Sequence, residues 1–114
     1  MHLLEAMGDD LVAKGYWVAL VDVDDPEAYK AYVAANARAF RKFGGRFLVR
    51  GGKSEAVEGQ LRSRVVVIEF KDFATALACY RSPEYEEAMA LRKAASKADI
   101  RVVEGYDGPQ PADG

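Results

Sequence analysis

The fold is decided by residues 15–23, which read Gly15-Tyr16-Trp17-Val18-Ala19-Leu20-Val21-Asp22-Val23. Aromatic and β-branched residues fill this stretch, as is typical of a β-strand. Side chains alternate between the two faces of a strand, so positions 16, 18 and 20 share one face and positions 17, 19 and 21 share the other. Both sets are apolar. The sequence therefore predicts a strand that is covered on both faces.

The same two-faced pattern recurs in residues 64–70, which read Arg64-Val65-Val66-Val67-Ile68-Glu69-Phe70. A sheet with helices on one face ordinarily turns polar residues to water on the other. Here the face without helices is predicted to be apolar as well. A second copy of the chain is the simplest cover, because most soluble oligomers are symmetric homo-oligomers. We therefore expect a homodimer formed through the helix-free face of the sheet.

Helix and turn signals place the other elements around these two strands. Asp25 can cap a helix that runs from Pro26 to about Phe43 and stops at a glycine pair. Asp72 and Ser82 can cap two later helices. The remaining predicted elements are strand 46–50, with residues 54–58 as a bent extension, helix 73–80, a helix from 82 to about 96, and strand 100–104. The order βαββαβ predicts an α+β, ferredoxin-like antiparallel sheet with its helices on one face.

The length of 114 residues corresponds to one domain. This domain is predicted to cover residues 14–106. Residues 1–13 read as a mobile N-terminal extension, because Gly8 interrupts a weak helical pattern. Residues 107–114 are rich in glycine and proline and read as a disordered tail.

Composition and charge exclude several classes of partner. The formal charge is -2, and the 16 basic residues are interspersed among 18 acidic ones, so no basic stripe for nucleic acid is present. No apolar run reaches the roughly 20 residues that span a bilayer, and the first ten residues do not have the form of a secretion signal. A single cysteine cannot form an internal disulfide, which fits a reducing compartment. We expect a cytoplasmic protein that binds neither nucleic acid nor membrane.

Polar residues stand at the centres of the apolar stripes of both long helices. At about 100° per residue, Asn36 lies near the middle of one stripe and Arg92 near the middle of the other. Burying an amide or a guanidinium without a partner is costly, so each must meet a protein group, water or a ligand. The two stripes are formed by Tyr29, Tyr32, Val33, Asn36, Phe40 and Phe43, and by Tyr85, Ala88, Met89, Arg92 and Ser96.

One interpretation of these stripes is a ligand site. Both helices lie on the same side of the predicted sheet, so Asn36 and Arg92 can face one cleft walled by Tyr29, Tyr80 and Tyr85. Such a cleft suits a small anionic or carbonyl-bearing molecule, since arginine supplies a fixed cation with several donors. In this interpretation Arg92 would bind the negative charge of the ligand, Asn36 would orient the ligand, and Tyr85 would transfer a proton.

The other interpretation satisfies the same groups within the protein. Arg92 would pair with Glu69 or Glu58, and Asn36 would bond to backbone, leaving a structural or ligand-sensing dimer with a filled core and no enzymatic site. Glu69 itself has two open roles, a structural ion pair or a proton-transferring base with a raised pKa. Arg50 lies beside a glycine pair, where either an anion-binding backbone bend or a strand-ending bulge is expected.

The remaining reactive residue types give no further site. Arg46, Arg62 and Arg64 read as solvated charges or as charges at the rim of the dimer. His2 is the only histidine, so neither a histidine-based metal site nor a histidine-dependent triad is expected. Cys79 falls off the apolar stripe of its short helix and reads as a packing or half-exposed thiol rather than a nucleophile. We expect no cofactor.

The sequence also resembles a known family along most of its length. The segments that carry the likeness include Gly15-Tyr16-Trp17-Val18-Ala19, Asp25-Pro26-Glu27-Ala28-Tyr29, Gly44-Gly45-Arg46-Phe47-Leu48-Val49-Arg50-Gly51-Gly52, Tyr80-Arg81-Ser82-Pro83-Glu84-Tyr85 and Val102-Val103-Glu104-Gly105. They resemble the small bacterial proteins catalogued as domain of unknown function 1330, in the dimeric α+β barrel superfamily, over about residues 14 to 106.

The resemblance implies two ferredoxin-like units joined sheet to sheet, and it implies no particular reaction. Relatives in the wider superfamily include cofactor-independent monooxygenases of antibiotic biosynthesis, small isomerases and haem-binding enzymes. An activity therefore does not follow from membership of this superfamily.

Overall fold

The computed structural model describes residues 12–113 as a four-stranded antiparallel sheet with three helices. The strands are β1 (Gly15–Val23), β2 (Arg46–Arg50), β3 (Arg64–Phe70) and β4 (Ser96–Glu104), and the helices are α1 (Pro26–Phe43), α2 (Phe73–Tyr80) and α3 (Pro83–Ala95). The strand order is β2-β3-β1-β4, and each neighbouring pair is antiparallel. This confirms the predicted α+β, ferredoxin-like fold.

The three predicted helix caps are present. The Asp25 carboxylate accepts a hydrogen bond from the backbone N–H of Ala28 at 3.1 Å, which satisfies a donor that the first turn of α1 leaves free. Asp72 and Ser82 cap α2 and α3 in the same way. At its other end α1 stops at Gly44, whose φ of 71° is the left-handed conformation that glycine adopts most easily.

The core lies between the helices and one face of the sheet, with Trp17 at its centre. Its ring lies edge-on to those of Phe40 and Tyr85, with centroids 5.1 and 4.8 Å away. The indole N–H donates to the carbonyl oxygen of Ala76 at 2.7 Å, which ties α2 to β1. The inward face of the sheet therefore carries the odd-numbered side chains of β1 and the even-numbered side chains of β3.

The opposite face of the sheet is free of helices and apolar along the two central strands, whereas β4 presents Lys97, Asp99 and Arg101 on it. In the register of β1 and β3, Val18 lies opposite Val67 and Leu20 opposite Val65, and all four side chains are partly exposed in the single chain. Tyr16 lies opposite Glu69 on this face and donates a hydrogen bond to its carboxylate at 3.1 Å. Along β1 and β3 both faces of the sheet are therefore apolar.

Two predicted boundaries were wrong. Strand β4 begins at Ser96 rather than Ile100, because Ser96, Ala98, Ile100 and Val102 turn inward and the strand pairs with β1 up to Val23. Residues 54–58 do not extend β2, since Gly51, with φ of 66°, turns the chain into an exposed loop over residues 51–63.

The structure describes the C-terminal tail of the chain but little of the predicted N-terminal extension. The predicted extension at residues 1–13 falls mostly outside the described residues. In the tail, which the sequence predicts to be disordered, Tyr106 donates a hydrogen bond to the carbonyl oxygen of Pro109, and Pro111–Asp113 form one 3-10 turn. No helix within residues 12–113 is long and apolar enough to cross a membrane.

Candidate functional site

A small internal cavity lies between α1 and the inward face of the sheet. Its volume is about 30 Å³, which is room for one or two water molecules. Aromatic and aliphatic side chains from β1, β2, β3 and α1 form most of the wall, and polar groups enter from both helices and from the ends of β2 and β3. The lining residues are Trp17, Ala19, Val21, Tyr29, Tyr32, Val33, Asn36, Phe40, Phe47, Arg50, Arg64, Val66, Ile68, Arg92 and Ile100.

Three arginines and no carboxylate line this cavity. Arg92 of α3 is buried, with only 5% of its surface exposed, whereas Arg64 is half-buried and Arg50 is exposed. None of the three forms a salt bridge with another residue of the range 12–113. The cavity therefore has a positive wall that the described part of the chain does not neutralise.

The register of the sheet explains why Arg50 and Arg64 reach the cavity. A bulge between Phe47 and Val49 shifts the end of β2 by one residue, so that Arg50 lies opposite the buried Val66. Arg64 precedes Val66 by two residues on β3 and shares its face. A side chain at Gly51 would collide with the Arg64 guanidinium, so a glycine at this position leaves room for the arginine.

Two polar atoms of the cavity wall are buried without a hydrogen-bond partner within residues 12–113. They are the amide oxygen Oδ1 of Asn36 and the guanidinium nitrogen Nε of Arg64. Asn36 is 5% exposed and lies one helical turn from both Tyr32 and Phe40, in the middle of the buried stripe of α1. Buried polar groups are normally satisfied, so one acceptor and one donor without a protein partner on the same cavity mark a place for a bound water molecule or a polar ligand group.

A chain of hydrogen bonds connects Arg92 to the cavity through two phenols. The guanidinium Nε–H of Arg92 donates to the hydroxyl of Tyr85 at 3.2 Å, and the hydroxyl of Tyr85 lies 2.9 Å from that of Tyr32. Either phenol can donate in the contact between Tyr32 and Tyr85, and the Tyr85 oxygen also accepts from Arg92. Of the two phenols, Tyr32 is the one that lines the cavity.

Both phenols remain protonated at neutral pH. Burial raises the pKa of Tyr32, and the neighbouring Tyr85 raises it further. Burial also raises the pKa of Tyr85, although the hydrogen bonds from Tyr32 and the charge of Arg92 oppose the rise. These hydroxyls therefore act as hydrogen-bond donors rather than as bases.

The structure brings four of the predicted site residues together. Asn36, Arg92, Tyr29 and Arg50 all line the cavity. Tyr85 does not reach it, because Tyr85 is wholly buried behind Tyr32 and contacts the site only through the hydrogen-bond chain.

Tyr80 and Glu69 lie elsewhere. Tyr80 packs against Trp17, with ring centroids 5.5 Å apart, and its hydroxyl donates to the Met89 sulfur; it lines a wider, open pocket that Arg92 also borders. Glu69 lies on the helix-free face with Tyr16, so it neither pairs with Arg92 nor can act on a ligand in the cavity. Nor does Arg92 pair with Glu58, which is in the exposed loop.

Two residues of the cavity were missed by sequence reasoning. Arg64 was interpreted as a solvated or interface charge, yet its even position on β3 places it with Val66 and Ile68 on the inward face. That alternation was a usable signal. Tyr32 was recognised as a member of the apolar stripe of α1, but nothing in the sequence indicated that its hydroxyl would pair with Tyr85.

This arrangement suits recognition of negative charge and stabilisation of an oxyanion. Guanidinium groups and a neutral phenol donate hydrogen bonds, and a nearly dry site strengthens them. No carboxylate or histidine lines the cavity to take a proton from a ligand. Within residues 12–113, no group of three histidine, cysteine or acidic side chains is placed to hold a metal ion. Cys79 is buried against the carbonyl oxygen of Ala39.

Comparison with protein families gives one match. The family model described as a domain of unknown function, DUF1330, matches residues 14–106. No curated protein matches the chain.

Solved structures share the fold at low identity. The RPA0582 protein of unknown function from Rhodopseudomonas palustris is 19% identical, with a TM-score of 0.68 and 95% of each chain covered. SnoaB, a cofactor-independent oxygenase from Streptomyces nogalater, is 14% identical, with a TM-score of 0.58, and the match covers 88% of this chain and 99% of SnoaB. A dimeric ferredoxin-like protein of unknown function from Thermobifida fusca is 13% identical, with a TM-score of 0.57 and coverage of 82% and 92%.

Proposed function

This chain belongs to the DUF1330 family, and we propose that it is a cytoplasmic homodimer in which each subunit binds a small anionic or carbonyl-bearing molecule in the cavity between α1 and the sheet. The observation that carries the proposal is the wall of three arginines without a carboxylate. Such a wall attracts an anion and repels a cation.

The burial of Arg92 explains why binding of an anion would be favourable. A buried charge is stable only when a counter-charge or several hydrogen bonds replace its hydration, and loss of the partner of a buried ion pair costs about 3–5 kcal/mol. Arg92 is buried with the neutral Tyr85 hydroxyl as its side-chain partner. A carboxylate in the cavity would supply the counter-charge that no salt bridge within residues 12–113 provides.

The volume of the cavity limits what binds. A cavity with room for one or two water molecules admits the oxygen atoms of a carboxylate or a carbonyl group and not a ring, so the carbon skeleton of the ligand would lie toward the surface. Arg50 is the exposed member of the three arginines and lies where the cavity approaches the surface. The remainder of a larger ligand would pass beside it.

Binding can be measured through Trp17, the only tryptophan of the chain, because its ring lines the cavity. We expect acetate to change the Trp17 fluorescence saturably in the millimolar range, as suits a ligand of few atoms, and methylammonium to leave it unchanged. Arg64→Gln should weaken acetate binding at least tenfold. The matched control is Arg41→Gln, since Arg41 is an exposed residue of α1 that does not line the cavity.

The filled-core alternative makes the opposite prediction for the same titration. If the interior is only a packed core, neither acetate nor formate produces a saturable change, and the two arginine substitutions behave alike. That result would refute the proposed ligand site. A thermal unfolding curve for each variant shows whether it remains folded.

The homodimer is supported by the apolar helix-free face and by the Thermobifida protein described as dimeric. We expect static light scattering at micromolar concentration to give twice the 12.5 kDa mass of the chain. Val67→Lys places a charge opposite Val18 in the middle of this face and should yield monomers. Leu91→Lys, at an exposed apolar residue of α3, is the control that leaves the dimer intact. A wild-type monomer would contradict the proposal.

A further inference from the structure

We infer that residues 53–61 form an arm that docks on a second copy of the chain, in an open groove along strand β4. The inference rests on the homodimer of the proposed function. It adds to that dimer a contact outside the two central strands, made by one named segment of each copy.

The arm offers apolar and acidic side chains that the single chain does not use. It belongs to the loop between β2 and β3, and its Val57 and Leu61 are 84% and 58% exposed. Residues 54–57 form neither helix, strand nor turn. Glu55 and Glu58 are exposed as well, and neither forms a salt bridge within residues 12–113.

The end of the arm is anchored on the helix-free face of the sheet. Arg62, which follows the arm, donates through Nε to Asp99 of β4 at 2.9 Å and through Nη1 to Asp22 of β1 at 3.0 Å. The backbone N–H of Ser63 also donates to Asp22, at 3.1 Å. Asp99 lies opposite Leu20, and both aspartates are on the helix-free face. The arm therefore leaves the sheet on the face where the second copy is proposed to bind.

The groove follows the free edge of β4. The strand order β2-β3-β1-β4 leaves one edge of β4 without a strand partner within residues 12–113. Side chains from both faces of the sheet line the groove, with Val18 and Leu20 on the helix-free side and Tyr80 and Ile100 on the helix side. An extended segment that lies beside an edge strand is a recurring mode of protein recognition.

The charge of the groove is opposite to that of the arm. Five basic side chains and one acidic side chain line it. Arg62 and Lys97 pair with aspartates of the same chain. Lys93 and Arg101 are exposed and have no salt bridge within residues 12–113. These two cations are therefore available to the carboxylates of an arm.

The second copy supplies the arm that fits this groove. No residue of the range 53–61 lines the groove of its own chain. Val18 and Leu20 belong both to the groove and to the apolar face proposed to meet the second copy, so the groove continues that interface. Two-fold symmetry makes the contact reciprocal, with each arm in the groove of the other subunit.

A charge exchange tests the contact. One variant reverses the arm (Glu55→Lys with Glu58→Lys), and the other reverses the groove (Lys93→Glu with Arg101→Glu). Each variant alone should form a weaker homodimer, because like charges meet at both contacts. In a heterodimer of the two, the reversed arm meets the reversed groove and the native arm meets the native groove, so both contacts regain opposite charges.

Native mass spectrometry of the equimolar mixture, with one variant labelled with 15N, measures the preference. We expect about nine-tenths heterodimer or more, where random pairing gives about one half; a gain of only about threefold per contact is sufficient. The control replaces the arm variant by Glu86→Lys with Glu87→Lys, which makes the same change of net charge at exposed residues of α3. Mixed with the groove variant, the control should give about one half heterodimer.

A second measurement tests the apolar part of the contact. Val57→Ser should raise the dissociation constant of the dimer at least tenfold in sedimentation equilibrium, because each dimer would lose the burial of two valines (about 1.5 kcal/mol or more each). Leu91→Ser, at an exposed apolar residue of α3, should keep the wild-type constant. The substituted side chains are exposed in the single chain, and a thermal unfolding curve for each variant shows that it remains folded.

The inference and the homodimer fail in different ways. A monomeric wild-type protein refutes the homodimer and the arm contact together. A wild-type dimer whose charge variants pair at random refutes the arm contact alone, as does a Val57→Ser dimer of wild-type strength. Equal enrichment of heterodimer in the control mixture would show that net charge, and not the arm, selects the partner, and the inference would again be wrong.

Discussion

Replacement of Asn36 by leucine should stabilise the ligand-free protein. Leucine has the same branched skeleton as asparagine, with methyl groups where the amide has its oxygen and nitrogen. The substitution therefore removes the buried, unpaired Oδ1 while preserving the shape of the side chain. The 30 Å³ cavity next to Asn36 gives the larger methyl groups room.

The magnitude follows from two contributions. A buried polar atom without a partner costs about 1–3 kcal/mol, and this cost disappears in the variant. Leucine is also the better helix former, which adds a few tenths of a kcal/mol within α1. We expect the free energy of unfolding to rise by about 1–3 kcal/mol, which corresponds to roughly 4 °C in the melting temperature for each kcal/mol in a chain of this size.

The assay is urea and thermal denaturation of ligand-free protein at fixed protein concentration, because a dimer unfolds in a concentration-dependent way. Ser82→Ala is the matched control. Ser82 is as buried as Asn36, but its hydroxyl is satisfied, since it caps α3 and donates to the Cys79 carbonyl at 2.7 Å. That variant should lose about 1–2 kcal/mol. If Asn36→Leu is destabilised like the control, Asn36 has an internal partner and the reasoning is refuted.

Three further predictions concern the surroundings of the site. Gly51→Ala should destabilise the protein by about 1–2 kcal/mol through its positive φ and should also weaken acetate binding, because the new methyl group displaces Arg64. Gly59→Ala has the same backbone cost but open space around it, so it should leave acetate binding unchanged; equal binding losses would argue against the role given to Arg64. Burial raises the pKa of the Cys79 thiol to about 12. A disulfide reagent at mildly alkaline pH should therefore modify Cys79 only in unfolded protein. Rapid labelling of the native protein would contradict the burial of Cys79. Glu69→Gln should leave the acetate dissociation constant, measured by Trp17 fluorescence, unchanged. A large change would show that Glu69 takes part in the site.

Most of the fold was predictable because several local signals agreed. The capping residues Asp25, Asp72 and Ser82 marked the starts of all three helices, and the two-faced strands identified the centre of the sheet. The start of β4 was not predictable in this way. Helix α3 passes into β4 at Ser96 without a loop, and the Ser96 hydroxyl closes the helix by donating to the Arg92 carbonyl at 2.7 Å.

The candidate site was half predictable. Asn36 and Arg92 could be found from helical periodicity, because a long amphipathic helix fixes which side chains face inward. Glu69 was placed with the correct neighbours on β3, but both faces of that strand are apolar, so the pattern alone does not tell which face carries the helices. Tyr80 lies outside this cavity and lines the wider pocket with Arg92, because the buried face of α2, a helix of only eight residues, was not fixed by the sequence pattern.

The most direct test of the anion site uses the single asparagine of the chain. Protein labelled with 15N in asparagine alone gives one side-chain amide signal, which belongs to Asn36. Acetate should move this signal saturably, with the dissociation constant that Trp17 fluorescence gives, while sodium chloride at matched ionic strength should not. An Asn36 signal that stays in place while acetate is raised well above that dissociation constant would contradict a ligand site in the cavity.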